Sequence, residues 1–301
     1  MKKVIITGPT GAIGTALVNQ MTQNGIRVLA ICHRGSERIA TLPVSPLLEI
    51  IECDLDEIEH SEAIAERGRD ADVFFHLAWR GTVGKDRNDA VLQEKNAVNS
   101  LEALRTAKRI GCKRFIGIGS QAEYGRYEGM LSPDLPTNPE NAYGAFKLKT
   151  GNAGRALAEE IGIEFIWVRV LSVYGENDTP NSLISMLIRK LKTREHISCT
   201  KGEQLWDYLY SKDAATALYL LGISGIPGKT YVLGGGLAAP LREYIEKVRD
   251  AIDPKASIGF GEIPYSDAQV MHLEADISEL KKDTGFEVRY TFEEGIADML
   301  A

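Results

Sequence analysis

The chain has 301 residues, 44% hydrophobic and 26% charged, which suits one large α/β domain or a domain carrying a small cap. Its net charge of −7 argues against nucleic acid as the main partner, and no stretch approaches the ~20 apolar residues of a membrane span. Four scattered cysteines without a CxxC pair suggest no zinc site, no other metal and no disulfide framework, so reduced thiols are expected.

The chain opens on Met1-Lys2-Lys3 and a short apolar run, Val4–Thr7. The run is too brief for the core of a secretory signal, so a cytoplasmic protein is expected. It reads instead as a strand that enters the turn Thr7-Gly8-Pro9-Thr10-Gly11-Ala12-Ile13-Gly14 and then an amphipathic helix over Ile13–Asn24. Gly8, Gly11 and Gly14 make a GxxGxxG spacing between strand and helix. Such a turn lets the backbone approach a pyrophosphate closely and points a helix N-terminus at the anion.

Further strands are predicted at Val28–Cys32, Leu48–Cys53, Val73–Leu77, Phe115–Gly119 and Glu164–Leu171, with long helices near Leu92–Ile110 and Ala142–Ile161. The strand runs are short, β-branched and bounded by turn residues, as buried parallel strands are. Their alternation with helices implies a doubly wound parallel Rossmann sheet. After Gly175 the rhythm changes. A loop at residues 177–181, a helix at Leu183–Leu191, a strand at Thr230–Leu233 and a helix near Leu241–Ile252 suggest a dinucleotide-binding domain over 1–174. Residues 175–301 then form mainly a smaller C-terminal substrate-binding cap, with segments near 206–233 returning to the sheet.

The end of the second strand addresses the adenosine ribose. A cofactor without a 2′-phosphate is usually met there by a carboxylate. This chain has Cys32-His33-Arg34-Gly35-Ser36 instead. Arg34, with His33, Ser36 and Arg38 nearby, suits a 2′-phosphate, so NADP(H) is favoured, with NAD(H) as the alternative. Asp54 is a candidate adenine contact.

Tyr143 and Lys147 stand four apart on a predicted helix, hence on one face. A free tyrosine titrates near ~10, and a neighbouring ammonium is expected to lower that value by ~1–3 units. Ser120 ends the fifth strand, at the carboxyl edge where doubly wound sheets place their ligands. Its hydroxyl is suited to hold a substrate oxygen.

These motifs resemble the extended short-chain dehydrogenase/reductase family of nucleotide-sugar epimerases, dehydratases and reductases, over nearly the whole chain. The TGxxGxxG turn, Asp54-Leu55, His76-Leu77-Ala78, Asn96, Ser120, Tyr124-Gly125, Tyr143 and Lys147 match family positions, as do Val168–Gly175, Trp206–Tyr210 with Asp213, and Glu274–Ile277. The resemblance implies that Ser120, Tyr143 and Lys147 are catalytic and that Asn96 supports water and cofactor geometry. It implies cofactor contacts at Leu55, Leu77, Ala78, Trp79, Asn96, Tyr143, Lys147 and Val170. It makes His76 a structural loop histidine. The two long helices resemble those that pair in family dimers, so a homodimer is expected.

The chain also departs from the pattern. Ser172 stands where many members carry Asn, and Trp206 where an Arg often binds the substrate diphosphate. Gln121 and Ala122 follow Ser120 where dehydratases usually carry acids; Glu123 comes one step late, which disfavours dehydration. Arg189, Lys190, Lys192 and Arg194 could meet a diphosphate or form a solvated helix face. The leading expectation is a keto-sugar reductase on a nucleotide-activated sugar, in which Tyr143 gives the proton, Ser120 polarises the carbonyl and NADPH is the hydride source. The alternatives are a nucleotide-sugar 4-epimerase with retained NAD and a non-catalytic cofactor-sensing protein, the latter disfavoured by the intact trio.

Overall fold

The computed structural model describes all 301 residues. Five strands of its first half are β1 (Lys3–Thr7), β2 (Arg27–Cys32), β3 (Leu48–Glu52), β4 (Val73–His76) and β5 (Arg114–Ser120). With the strands Glu164–Val170 and Thr230–Leu233 they form one seven-stranded sheet. Its order is Thr230–Leu233, Glu164–Val170, β5, β4, β1, β2, β3, with every pair parallel.

Both faces of this sheet are buried, which is why its strands are apolar throughout rather than alternating. Along β1, Val4 and Ile6 point into one core and Ile5 into the other. Along β4, Val73 and Phe75 oppose Phe74 in the same way. The helices Ala12–Gln23 and Ser211–Ser224 pack together on one face. The helices Ala90–Arg109 and Ala142–Ile161 cover the other.

A third core, around Tyr174, Leu187, Tyr210, Tyr244 and Ile296, stands apart from the two that flank the sheet. The segment that returns from it is stitched by two buried carboxylates. Asp207 accepts from Gly235 N (2.6 Å), Gly236 N (2.9 Å) and Ala275 N (3.0 Å). Asp213 accepts from Arg289 N and Tyr290 N. Burial raises both carboxyls, and these backbone donors oppose the rise without cancelling it. The strand order reverses between β1 and β4, so the crevice for a ligand opens beyond the carboxyl ends of these two strands.

Candidate active site

The glycine turn leaves β1 at that crevice. Gly8 has φ +67, and a Cβ there would lie 2.8 Å from Ala78 N. A Cβ on Gly14 would lie 2.1 Å from Gly8 O. These two glycines are demanded by the chain's own backbone. Gly11 is different: a Cβ there would have no protein atom nearer than 3.9 Å and would project into open space. The helix that follows, Ala12–Gln23, has no side-chain cap and no acid in its first turn. Its leading N–H groups and positive dipole end are therefore left for an anion. A pyrophosphate fits this cradle.

From it a cavity of about 500 Å³ runs outward, lined by Gly8, Thr10, Gly11, Ala12, His33, Asp54, Leu55, Leu77, Ala78, Trp79 and Asn96. An adjoining cleft of about 510 Å³ takes in Ile13, Gly14, Ser120, Tyr143 and Val170. Two of the expected cofactor contacts, Arg34 and Lys147, line neither.

Arg34 is turned aside by carboxylates. Its guanidinium pairs with Glu57 and lies 4.0 Å from Asp54. Asp54 Oδ1 also accepts from the His33 ring and from Arg34 N, while the residue lines the cavity. Glu52 accepts from Gly35 N at 2.7 Å. Arg38 donates to Thr10 O (2.7 Å) and to Asn177 O, tying the turn to loop 177–181.

Ser120 ends β5 and is 4% exposed. Its Oγ donates to Gln121 Oε1 (2.7 Å) and accepts from Ala122 N. Tyr143 and Lys147 lie in the helix Ala142–Ile161, which Asn141 caps by accepting from Gly144 N at 2.9 Å. Both are buried, at 8% and 3% exposure. Burial raises the Tyr143 phenol; the Ser120 hydroxyl and then Arg87 oppose that rise, while Glu123 adds to it.

Lys147 stands on the Tyr143 face of the helix, with its Nζ 5.9 Å from the centre of the Tyr143 ring. Its ammonium donates to Ile118 O (2.5 Å) and sits 3.8 Å from the centre of the Trp79 ring. Burial pulls it down to about 7, with Glu123 acting the other way. The cation nearest the phenol ring is Arg87, 4.7 Å from its centre, against 5.9 Å for Lys147. Nothing in the sequence singles out Arg87, which shares a short turn, Gly84–Asn88, with Lys85 and Asp86.

Glu123 is fully buried and faces away from the cleft. It accepts from Ser120 N (2.9 Å), Trp167 Nε1 (3.0 Å) and Arg169 Nε (2.7 Å). Arg169 in turn donates to Tyr124 Oη and Pro133 O. The acid that comes one step late is thus a structural anchor under the serine.

Asn96 works through the loop after β4: its Oδ1 accepts from Arg80 N and its Nδ2 donates to Arg80 O. His76 is the last residue of β4 rather than a loop residue. It is held between Thr7 Oγ1 (2.9 Å) and Ser100 Oγ (3.0 Å), and burial lowers it to about 3. The two departures, Ser172 and Trp206, bond to each other, indole Nε1 to Oγ at 2.8 Å. In the basic helix Leu183–Thr193, Arg189 pairs with Glu195 and Lys190 bonds His196 O, and neither lines the cleft.

Proteins that cradle a dinucleotide at the switch point of such a sheet, and set a tyrosine beside a serine there, are NAD-dependent oxidoreductases of sugars and alcohols, and this chain has that form. The profile of the NAD dependent epimerase/dehydratase family matches residues 4–234. The chain belongs to that family.

It is similar to CDP-abequose synthase of Salmonella muenchen, 24% identical over 310 aligned positions that cover 100% of this chain and 97% of the relative. It is also similar to dTDP-glucose 4,6-dehydratase of Escherichia coli, 27% identical, covering 98% and 91%. Among solved structures, UDP-N-acetylglucosamine 4-epimerase from Methanobrevibacter ruminantium M1 superposes with a TM-score of 0.88 at 23% identity, covering 98% and 97%. UDP-glucuronic acid 4-epimerase from Bacillus cereus, in complex with NAD, gives 0.84 at 22% identity, covering 98% and 96%. No helix is long and apolar enough to cross a membrane.

Proposed function

We propose that the protein reduces a keto group of a nucleotide-activated sugar, with Tyr143 giving the proton and Ser120 holding the carbonyl oxygen. The carrying observation is the fate of the acids near Ser120. Gln121 and Ala122 bear none, and Glu123 is locked to Arg169 beneath the strand. That leaves proton and hydride transfer without a nearby carboxylate to drive water loss. Nicotinamide, when bound, supplies the hydride. The full-length likeness to CDP-abequose synthase, and the likeness to dTDP-6-deoxy-L-talose 4-dehydrogenase (NAD(+)) of Aggregatibacter actinomycetemcomitans at 24% identity, support a nucleotide-sugar substrate.

The charge balance at the end of β2 points to NAD(H) rather than NADP(H). Glu52, Asp54 and Glu57 crowd the place where a 2′-phosphate would have to sit, and both arginines there are engaged. For assembly we infer a homodimer through the paired helices Ala90–Arg109 and Ala142–Ile161, on which Val91 and Val98 stand exposed.

One variant and one measurement test these readings. Tyr143→Phe is expected to lose more than about 100-fold in turnover while still binding the dinucleotide; near-normal turnover removes the assigned acid. A native mass spectrum of the purified protein reads both subunit count and retained cofactor. Two subunits with an empty site fit the proposal, whereas a tightly retained NAD in every subunit fits a 4-epimerase instead.

A further inference from the structure

We propose that a cavity beside the catalytic cleft is built for a negatively charged group that only accepts hydrogen bonds, so that the sugar of the substrate bears a carboxylate. The inference rests on the reading of this site as one for a nucleotide-activated sugar, and it names the class of that sugar.

The cavity, of about 350 Å³, adjoins the cleft at the residue after Ser120: Gln121, Arg87 and Trp206 line both spaces. A sugar whose carbonyl oxygen lies on Ser120 therefore presents a neighbouring substituent to it.

The uncommitted groups of its inner side chains are donors. Asn141 meets Gly144 N at 2.9 Å, and a backbone N–H can be met only by the amide oxygen, so Nδ2 is the end left over. Gln121 Oε1 accepts from Ser120 Oγ at 2.7 Å, which leaves its Nε2 without a protein partner. The Arg87 guanidinium gives one long bond, Nη1 to Thr82 O at 3.3 Å, and has no ion pair. Its centre lies 4.7 Å from the middle of the Tyr143 ring, so an anion it holds stays close to the group that transfers the proton.

The acceptors are spent. Glu140 is the one carboxylate in the lining, and both its oxygens accept from Arg126 Nε, at 3.0 and 2.8 Å. His272 is turned to Glu274, which lies outside the lining. Tyr127 and Asn88 are exposed and can give or take a bond. Leaving histidine aside, two arginines face one carboxylate, a net positive lining in a chain whose own net charge is −7. Arg80, which also has no ion pair, lines the 500 Å³ cavity and not this one.

A carboxylate suits this lining. It is acceptor-only, with about four lone-pair sites, and its bonds to a guanidinium are charge-assisted. A hydroxymethyl group in the same place brings a proton for which Gln121, Asn141 and Arg87 offer no acceptor. It also leaves most of their N–H groups unpaired, which is how a site of donors rejects a ligand short of acceptors. The diphosphate is the other acceptor-only anion of such a substrate, and the test separates the two.

Calorimetric titration of the dinucleotide-saturated protein uses the uridine, cytidine and thymidine diphosphate forms of glucuronate and of glucose. Each pair differs only at C6. On the base that binds best, glucuronate is expected to bind at least about 10-fold more tightly than glucose. Asn141→Asp keeps a good helix cap but puts a carboxylate where the free N–H was, and is expected to abolish that preference while sparing the glucose form. Arg87→Met is expected to weaken the glucuronate form by about 10-fold and to spare the glucose form. Equal losses of both forms in Arg87→Met overturn the proposal, because the cation would then hold the diphosphate. A preference that survives Asn141→Asp overturns it too, as does binding without preference in the wild type. Failure of all six compounds to bind removes the nucleotide-sugar reading itself, and the proposal with it.

Discussion

Around the end of β2 the acids outnumber the free cations, and this decides what the adenosine pocket accepts. Arg34 is more than half exposed, so its ion pair with Glu57 is screened by solvent and worth little by itself. Breaking it is therefore cheap. What opposes a 2′-phosphate is the carboxylate left behind, together with Asp54 and Glu52 close by. Glu57→Gln removes one negative charge and releases Arg34 in a single step. The wild-type protein is expected to bind NADH more tightly than NADPH. In Glu57→Gln the ratio should shift towards NADPH by about 10-fold, equivalent to about 1.4 kcal/mol, with NADH affinity unchanged. Calorimetric titration with each dinucleotide measures it. A ratio that does not move would show that Arg34 never meets the phosphate.

The helix Ala142–Ile161 must both carry Tyr143 and Lys147 and lie close against the sheet. Small residues on its inner face make the second requirement possible. Gly151 presses on the Trp167 indole, where a Cβ would come within 2.8 Å, and Gly154 presses on Phe165 at 2.9 Å. Trp167 has no room to retreat. Hypothetical Cβ atoms on Gly117 and Gly119 would meet its ring at 2.6 and 2.4 Å, and its Nε1 is bonded to Glu123. Gly151→Ala gains about 1 kcal/mol of helix propensity, but overpacking costs about 1–3 kcal/mol and shifts the indole that braces Glu123 under Ser120. Net destabilisation is expected, seen as a lower urea midpoint with an unchanged slope; a raised midpoint would show that the interface yields.

The legibility of the chain follows the same scale. Strands and the glycine turn were readable because periodicity and turn chemistry are local properties. Tyr143 and Lys147 share a helix face, and Ser120 ends a strand, so their placement was readable too. What was not readable is who partners whom. Arg34 meets Glu57 from 23 positions away and Arg169 meets Glu123 from 46. Lys147 donates to a strand carbonyl. Each of these depends on distances that exist only after folding.

For the molecule as a whole, two buried bases shape stability against pH. His76 titrates near 6.5 when unfolded but is lowered to about 3 in the fold. Between those values the unfolded chain binds a proton that the folded one refuses, so stability falls as pH drops through that window. Lys147 has the same sign in a different range. Its ordinary 10.5 is lowered to about 7, so from pH 7 upward the unfolded chain holds the extra proton and stability rises with pH, by at most about 1.4 kcal/mol per unit. The rise is opposed above pH 9. Burial raises the thiols of Cys32 and Cys112 from 9.0 to about 11 and about 12. Unfolded thiols then lose protons that folded ones keep, which reverses the sign. Stability is therefore expected to climb from pH 7 to a maximum near 9 and to decline beyond it. Urea midpoints measured at intervals across that range read the curve directly. Lys147→Met removes the titrating group while keeping most of the side chain's volume, and should flatten the climb between pH 7 and 9 and steepen the decline above it, where the lysine no longer offsets the thiols. A climb that survives in this variant would mean that the ammonium keeps its charge in the folded protein, reached by water that its burial against Trp79 and Ile118 is expected to exclude.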